Sequence, residues 1–278
     1  MFNVKTFIAL FMAFCISQIG ISQEKYAVLI IGDYVAQGIP NTHQFNGGQT
    51  DNNQDFDEFW NDTFLMWELL QAKGYDPDNI FVLFADGVDY SFNHPLIDDR
   101  YKPSSTVTVT DYPATLANLQ MVFNGLRLGN GGFPQLTEDD FLFVWTFDHG
   151  MFIEGHARLL LMDDEYIIED DFAALVNPIP AHKKAFWMLQ CNSGGFNGAL
   201  EGQNTVFHSA CQYLEGAESG NDTPDIENEL INGKQYTHSE CFFHMYSSTN
   251  GESPAYLDSY DNEDYTDADL NTDLYISL

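Results

Sequence analysis

A histidine and a cysteine each directly follow an apolar run and stand in a glycine-containing turn. His149 lies in Phe-Asp-His-Gly at 147–150, and Cys191 lies in Gln-Cys-Asn-Ser-Gly-Gly at 190–195. A thiol becomes a strong nucleophile when a nearby base takes its proton, and the intermediate it forms needs hydrogen-bond donors for its oxyanion. Because the two turns offer an imidazole, a thiol and sharply bending backbone, we expect His149 and Cys191 to lie side by side at one edge of a sheet.

The elements that would position these turns are strands that alternate with helices. Strands are predicted at Tyr26–Gly32, Ile80–Phe84, Phe141–Phe147, Arg158–Met162, Ala185–Leu189 and Thr205–Cys211, and helices from Asp51 to Gly74, at Leu116–Leu126, Glu169–Val176 and His238–Ser248. This alternation predicts an α/β fold of three layers, with a parallel sheet covered on both faces. In such a sheet, ligands bind at the edge formed by the carboxyl ends of the strands.

The chain of 278 residues divides into three predicted segments. Residues 1–22 are typical of a secretory signal peptide, because Lys5 precedes the apolar stretch Phe7–Ile19 and small residues follow it. We therefore expect export to the periplasm, the cell surface or the medium, with no membrane span in the mature chain. Residues 23–255 are predicted to form one catalytic domain, and residues 256–278 an acidic C-terminal segment.

Three cysteines remain after removal of the signal peptide: Cys191, Cys211 and Cys241. An odd number cannot pair completely, and an odd thiol in an exported protein is a candidate reactive group. If Cys211 pairs with Cys241, Cys191 is the remaining thiol. The alternative is that the cysteines are buried as small hydrophobic residues.

The charge balance limits the choice of partners. The chain has 10 basic and 42 acidic residues, a formal net charge of −32. Nucleic acid is excluded as a partner, because binding phosphate requires clustered lysine and arginine.

The acidic C-terminal segment carries a pattern of alternating oxygen ligands. The pattern consists of Asp267, Asp269, Asn271 and Asp273. It is similar to the start of a calcium-binding loop, although Leu274 stands where such loops have glycine. These four residues are therefore candidate calcium ligands, and a merely acidic tail is the alternative.

Two motifs resemble the caspase–legumain group of cysteine peptidases. Asp148-His149-Gly150 and Cys191-Asn192-Ser193-Gly194 each end an apolar strand, as in that group, and the legumain branch is the most similar. The resemblance extends over residues 25–252. It implies the three-layer caspase-like fold with a mostly parallel six-stranded sheet between helices. It also implies a cysteine endopeptidase that acts on peptide or protein substrates and requires no cofactor, with calcium as an option.

The resemblance also implies roles for individual residues. Cys191 would be the nucleophile and His149 the general acid/base. The amides of Gly150 and Cys191 would form the oxyanion hole.

Four further residues are candidates for substrate binding. They are Gln190 and, in the segment after the cysteine strand, His208, Ser209 and Gln212. Leu189 stands where legumain-like enzymes have an acidic residue in the specificity pocket. The residue preferred before the cleaved bond therefore does not follow from the resemblance.

Three other functions stay open at the level of sequence. The chain could have the fold without the activity and serve as a binding or scaffold protein. The same thioester could be resolved by an amine, which would make the protein a transamidase. The acidic segments also allow a calcium-dependent adhesive module.

Overall fold

The protein was studied as a computed structural model, which describes residues 23–32, 57–89, 104, 106–200, 202, 204–214 and 255–258. The strands are β1 (Lys25–Ile31), β2 (Ile80–Phe84), β3 (Phe141–Thr146), β4 (Gly150–Ile153), β5 (His156–Leu160), β6 (Tyr166–Ile168), β7 (Lys183–Met188), β8 (Thr205–Ser209) and β9 (Ala255–Asp258). The helices are α1 (Asp57–Ala72), α2 (Leu116–Leu128), α3 (Glu169–Val176) and the single turn α4 (Asn197–Leu200).

The main sheet has the strand order β2-β1-β3-β7-β8-β9. Its first five strands are parallel, and β9 pairs antiparallel with β8 at one edge. The parallel strands are in a common register, because Thr146 of β3 faces Ile30 of β1 on one side and Met188 of β7 on the other. Their carboxyl ends therefore form one continuous edge.

Helices cover both faces of the sheet. Alternate residues of each strand point to opposite faces, so that Leu29 of β1 packs in one apolar cluster and Val28 in another. The cluster around Leu29 includes the buried aromatic face of α1, whereas the cluster around Val28 includes buried residues of α2 and α3. Continuous apolar strands are expected here, since a parallel sheet is buried on both sides.

A small second sheet lies directly after β3. Strands β4, β5 and β6 form an antiparallel sheet in the order β4-β5-β6. Its inner face packs in the same cluster as α2 and α3, through residues such as Leu159 and Ile167. Since β4 starts at Gly150, this sheet fixes the exit of the chain from the histidine turn.

The fold class predicted from sequence, a three-layer α/β structure with a mostly parallel six-stranded sheet, is confirmed. The predicted strand at Arg158–Met162 is the middle strand of the small sheet, shifted to His156–Leu160. The sheet also crosses the predicted domain boundary at residue 255, because β9 runs to Asp258. Residues 51–56 and the predicted helix at 238–248 lie outside the described residues, as does the signal segment 1–22.

Candidate active site

The histidine turn continues the line of β3 before it bends. The amide of Phe147 donates to the carbonyl of Ile30 at 3.1 Å, so the chain leaves the sheet only at Asp148. The Asp148 carboxylate is 5% exposed, and its Oδ1 accepts a hydrogen bond from the His149 amide at 2.6 Å. Asp148 thus supports the backbone of the turn. A Cβ at Gly32, after β1, would lie 2.2 Å from Asp148 Oδ2, so this carboxylate fits only beside glycine.

The His149 side chain is exposed on one side and packed on the other. The ring of Phe59 from α1 meets it edge to face, with 5.6 Å between ring centroids. Partial burial lowers the pKa of His149 below its ordinary value of 6.5, because desolvation disfavours the charged ring. The imidazole is therefore neutral at neutral pH and can accept a proton.

The cysteine turn is a tight β-turn over residues 190–193. The Ser193 amide donates to the Gln190 carbonyl at 3.2 Å, which places Cys191 at the second position of the turn. Asn192 at the third position is left-handed, with φ 61° and ψ 14°, as a type II turn requires. Asparagine tolerates this conformation better than most residues do. The turn presents Cys191 half-buried at its corner, with the thiol retained.

The two turns are in backbone contact. A Cβ added to Gly150 would lie 2.0 Å from the carbonyl oxygen of Cys191, so only glycine allows this approach. The register explains the contact: Thr146 pairs with Met188, and His149 and Cys191 each lie three residues further along. The carboxyl edge of the sheet thus brings together the two turns that the sequence singled out.

A buried polar pair lies directly beneath the two turns. The Thr146 hydroxyl donates to Gln190 Oε1 at 2.6 Å, and both residues are fully buried. Gln190 Cγ lies 2.8 Å from the position that a Cβ of Gly150 would occupy. Gln190 Nε2 finds no hydrogen-bond partner among the described residues. The pair therefore links the end of β3 to the first residue of the cysteine turn.

Three of the residues predicted to bind substrate are buried. Gln190 and Ser209 have no exposed surface, and His208 is 1% exposed. Burial lowers the pKa of His208 to about 3, so its ring is neutral. In this structure these three side chains have no surface to offer a substrate. Gln212, by contrast, is exposed beside the cysteine turn, and its role stays a prediction.

An exposed aromatic residue beside the cysteine turn was not predicted. Asn192 Nδ2 donates to the carbonyl of Tyr213 at 3.0 Å, and the Tyr213 ring packs edge to face on Phe152 of β4, with centroids 5.5 Å apart. Tyr213 thereby contacts the cysteine turn and the strand that follows the histidine turn, and 49% of it is exposed. The sequence signal was weak, since one tyrosine after a strand is common.

The metal predictions fall in two places. The candidate calcium ligands Asp267, Asp269, Asn271 and Asp273 lie outside the described residues. Elsewhere, donor atoms of His156, Glu169 and Asp170 lie within 4.8 Å of one another. His156 Nδ1 is already 3.0 Å from Glu169 Oε1. The acidic residues also begin α3, where carboxylates stabilise a helix N-terminus without any metal.

Comparisons with known proteins add little to this geometry. No protein-family model and no curated protein matches the chain. Among solved structures, the crystal structure of drICE is similar, with a TM-score of 0.43 and 12% sequence identity over 87% of this chain and 90% of that one. In the described part of the chain, none of the helices has both the length and the apolar character needed to cross a bilayer.

Proposed function

We propose that this protein is a cysteine endopeptidase of the caspase–legumain kind, with the legumain branch as the nearer model. The observation that carries the proposal is the contact between Gly150 and the Cys191 carbonyl. It joins a turn that bears a neutral imidazole to a turn that bears a half-buried thiol. Thiol, base and turn amides at one edge are the components of acyl transfer.

In the first half of the proposed reaction, His149 takes the proton of the Cys191 thiol. The thiolate sulfur attacks the carbonyl carbon of the peptide bond, and the carbonyl oxygen gains the negative charge. The amides of Gly150 and Cys191 are proposed to donate to this oxyanion. His149 then gives its proton to the leaving amine, the carbon–nitrogen bond breaks, and a thioester remains on Cys191.

In the second half, water replaces the amine. His149 takes a proton from the water as its oxygen attacks the thioester carbon. Collapse of the second tetrahedral intermediate breaks the carbon–sulfur bond, and the thiolate recovers the proton. The neutral state of His149 in the resting enzyme suits this role, since a base that is already protonated cannot start either half. No step in this reaction calls for a cofactor.

The proposed substrate is a peptide segment that lies across the two turns. Gln212 and Tyr213 are exposed beside the cysteine turn and are proposed to contact it. Leu189 is 5% exposed and packs in the α1 cluster, so it does not line a cleft. Specificity would then depend on residues other than those at the legumain-like positions. We further propose that the protein acts after export, as the leader sequence predicts.

Cleavage of a mixed peptide library, analysed by mass spectrometry, tests the proposal. Cys191→Ala and His149→Ala should each lower kcat/KM by roughly 10³-fold or more, because both groups take part in bond breaking. His182→Ala is the matched control: this histidine is exposed and precedes β7, at the opposite end of the strand from Cys191. It should retain full activity.

Two outcomes would overturn the proposal. If wild-type protein cleaves no peptide, with or without calcium, and Cys191 reacts with iodoacetamide no faster than a free cysteine, the chain has the fold without the activity. If product appears only when an amine acceptor is added, and as the amide, the reaction is transamidation instead.

A further inference from the structure

A second cysteine lies beneath the turn that presents Cys191. The Cys211 thiol is buried and donates to the Gln190 carbonyl at 3.7 Å. It is also 3.7 Å from the Ser193 hydroxyl, in hydrogen-bond contact. Gln190 and Ser193 are the first and last residues of the β-turn that holds Cys191. The sulfur of Cys211 therefore points at the inner side of this turn.

The register of the sheet brings the two cysteine backbones close together. Met188 of β7 pairs with Ser209 of β8, and the amide of Ala210 donates to the Met188 carbonyl at 3.0 Å. Continued by two residues, this pairing sets Cys211 opposite Gln190, one residue before Cys191. Adjacent strands lie about 4.8 Å apart, and a disulfide spans Cα atoms about 4.4–6.8 Å apart. Cys191 is offset from Cys211 by one residue, and strand geometry sets such a diagonal pair roughly 6 Å apart at Cα, which is within the disulfide range.

The two thiols differ in burial, and this difference sets which of them reacts first with an oxidant. Cys191 is half-buried at the corner of its turn, whereas Cys211 is buried behind it. Burial raises the pKa of Cys211 and outweighs the hydrogen bonds from Ser193 and Asn192, which lower it, so Cys211 remains protonated at neutral pH. Since an oxidant reaches an accessible sulfur before a buried one, Cys191 should be oxidised first.

We propose that Cys211 is a resolving cysteine, which traps oxidised Cys191 as a reversible Cys191–Cys211 disulfide. This inference rests on the proposed function only in that the disulfide would block the nucleophile. The Cys191 sulfur attacks one oxygen of a peroxide, the oxygen–oxygen bond breaks, and Cys191 becomes a sulfenic acid while hydrogen peroxide is reduced to water. The Cys211 sulfur then attacks the sulfenic sulfur. Its proton leaves with the hydroxyl group as a second water, the sulfur–oxygen bond breaks, and the sulfur–sulfur bond forms.

Peroxide treatment followed by intact-mass measurement and non-reducing peptide mapping tests this proposal. Wild-type protein should lose the mass of two hydrogen atoms and give a cross-linked peptide that contains Cys191 and Cys211. Dithiothreitol should restore both the mass and any peptidase activity. Cys241→Ser serves as the background variant, because it removes the other cysteine of the predicted mature chain.

The matched variant is Cys211→Ser, which keeps a hydrogen-bonding group beside Ser193. In this variant Cys191 should pass to sulfinic acid, gaining two oxygen atoms, and dithiothreitol should no longer restore it. The proposal is overturned if wild type and Cys211→Ser take up oxygen on Cys191 at the same rate and neither forms the cross-link. Because mass is the readout, this result is independent of whether the protein cleaves peptides.

Discussion

The hydroxyl of Thr146 and the side-chain oxygen of Gln190 are 2.6 Å apart, in a hydrogen bond that spans 44 positions of sequence. The bond joins the last residue of β3 to the residue before Cys191. Because both groups are fully buried, neither can exchange its partner for water. The pair is thus a buried polar link at the carboxyl edge of the sheet, close to the point where the two turns leave it.

We expect Thr146→Val to destabilise the protein by about 1–3 kcal/mol, since it leaves the buried Gln190 oxygen without a donor. Gln190→Leu alone should cost a similar amount. The double variant should cost less than the sum, because two apolar groups of similar shape replace the whole pair. Urea unfolding of the four proteins measures the coupling, and strictly additive free energies would show that the bond contributes nothing.

Gly150→Ala tests the contact between the turns. Its methyl group would lie 2.0 Å from the Cys191 carbonyl oxygen, so the turns must separate. We expect alkylation of Cys191, and peptide cleavage, to slow by roughly 10²-fold, the effect of moving reacting groups by about 1 Å. Gly198→Ala is the control, because a Cβ there meets nothing within 4 Å. Equal reactivity of the two variants would contradict the assigned contact.

The pH dependence should follow the lowered pKa of His149. Activity should rise with pH, with a midpoint below pH 6.5. His149 must be neutral to act as the base, and burial disfavours its protonated form. The folded state binds fewer protons here than the unfolded state does. Stability should therefore rise with pH between the folded pKa and 6.5, and level off above that value. An NMR titration of the imidazole locates the midpoint.

Phe59 should be one cause of that shift, because its ring excludes water from one side of His149. We expect Phe59→Ala to raise the pKa of His149 toward 6.5. Phe64→Ala is the matched control: Phe64 lies on the same helix, is also 5% exposed, and packs on Trp60 and Trp67. Both variants lose about 3–5 kcal/mol of stability, so only the pKa separates them. An equal pKa in both would exclude this role for Phe59.

Lys184 should give a second pH dependence, in the alkaline range. Its ammonium donates to the carbonyls of Val176 and Asn177 at the end of α3, and burial lowers its pKa to about 8 from 10.5. Between pH 8 and 10.5, Lys184 is protonated in the unfolded chain and neutral in the folded protein. Its contribution to stability therefore rises with pH over this range. Comparing thermal unfolding of wild type and Lys184→Met from pH 7 to 10.5 isolates the effect. Parallel curves would show that Lys184 does not titrate in this range.

The strands and the two turns could be predicted because their signals are local. The continuous apolar run of β3 and the glycine after His149 mark the end of a buried strand without reference to any other residue. The carboxyl edge then follows from parallel topology, which is why His149 and Cys191 were predicted to share it. Asn192 also carried a signal, since asparagine after Cys191 favours a left-handed turn.

The depth of individual polar residues could not be predicted in the same way. Gln190 and His208 are polar residues beside exposed-looking turns, yet both are buried. Their burial depends on which strand lies alongside, and therefore on contacts that are distant in sequence. The same holds for Cys211, whose position beneath the cysteine turn follows from the pairing of β7 with β8. Such pairings are tertiary facts that no local pattern contains.

The antiparallel strand β9 has a practical consequence for handling this protein. It occupies the outer hydrogen-bonding edge of β8, from Val206 to Ser209. A polypeptide shortened to end at residue 254 would leave that edge open, and an open edge is a template on which other molecules can add strands. Such a shortened protein should self-associate and precipitate, whereas one that retains residues 255–258 keeps the edge closed.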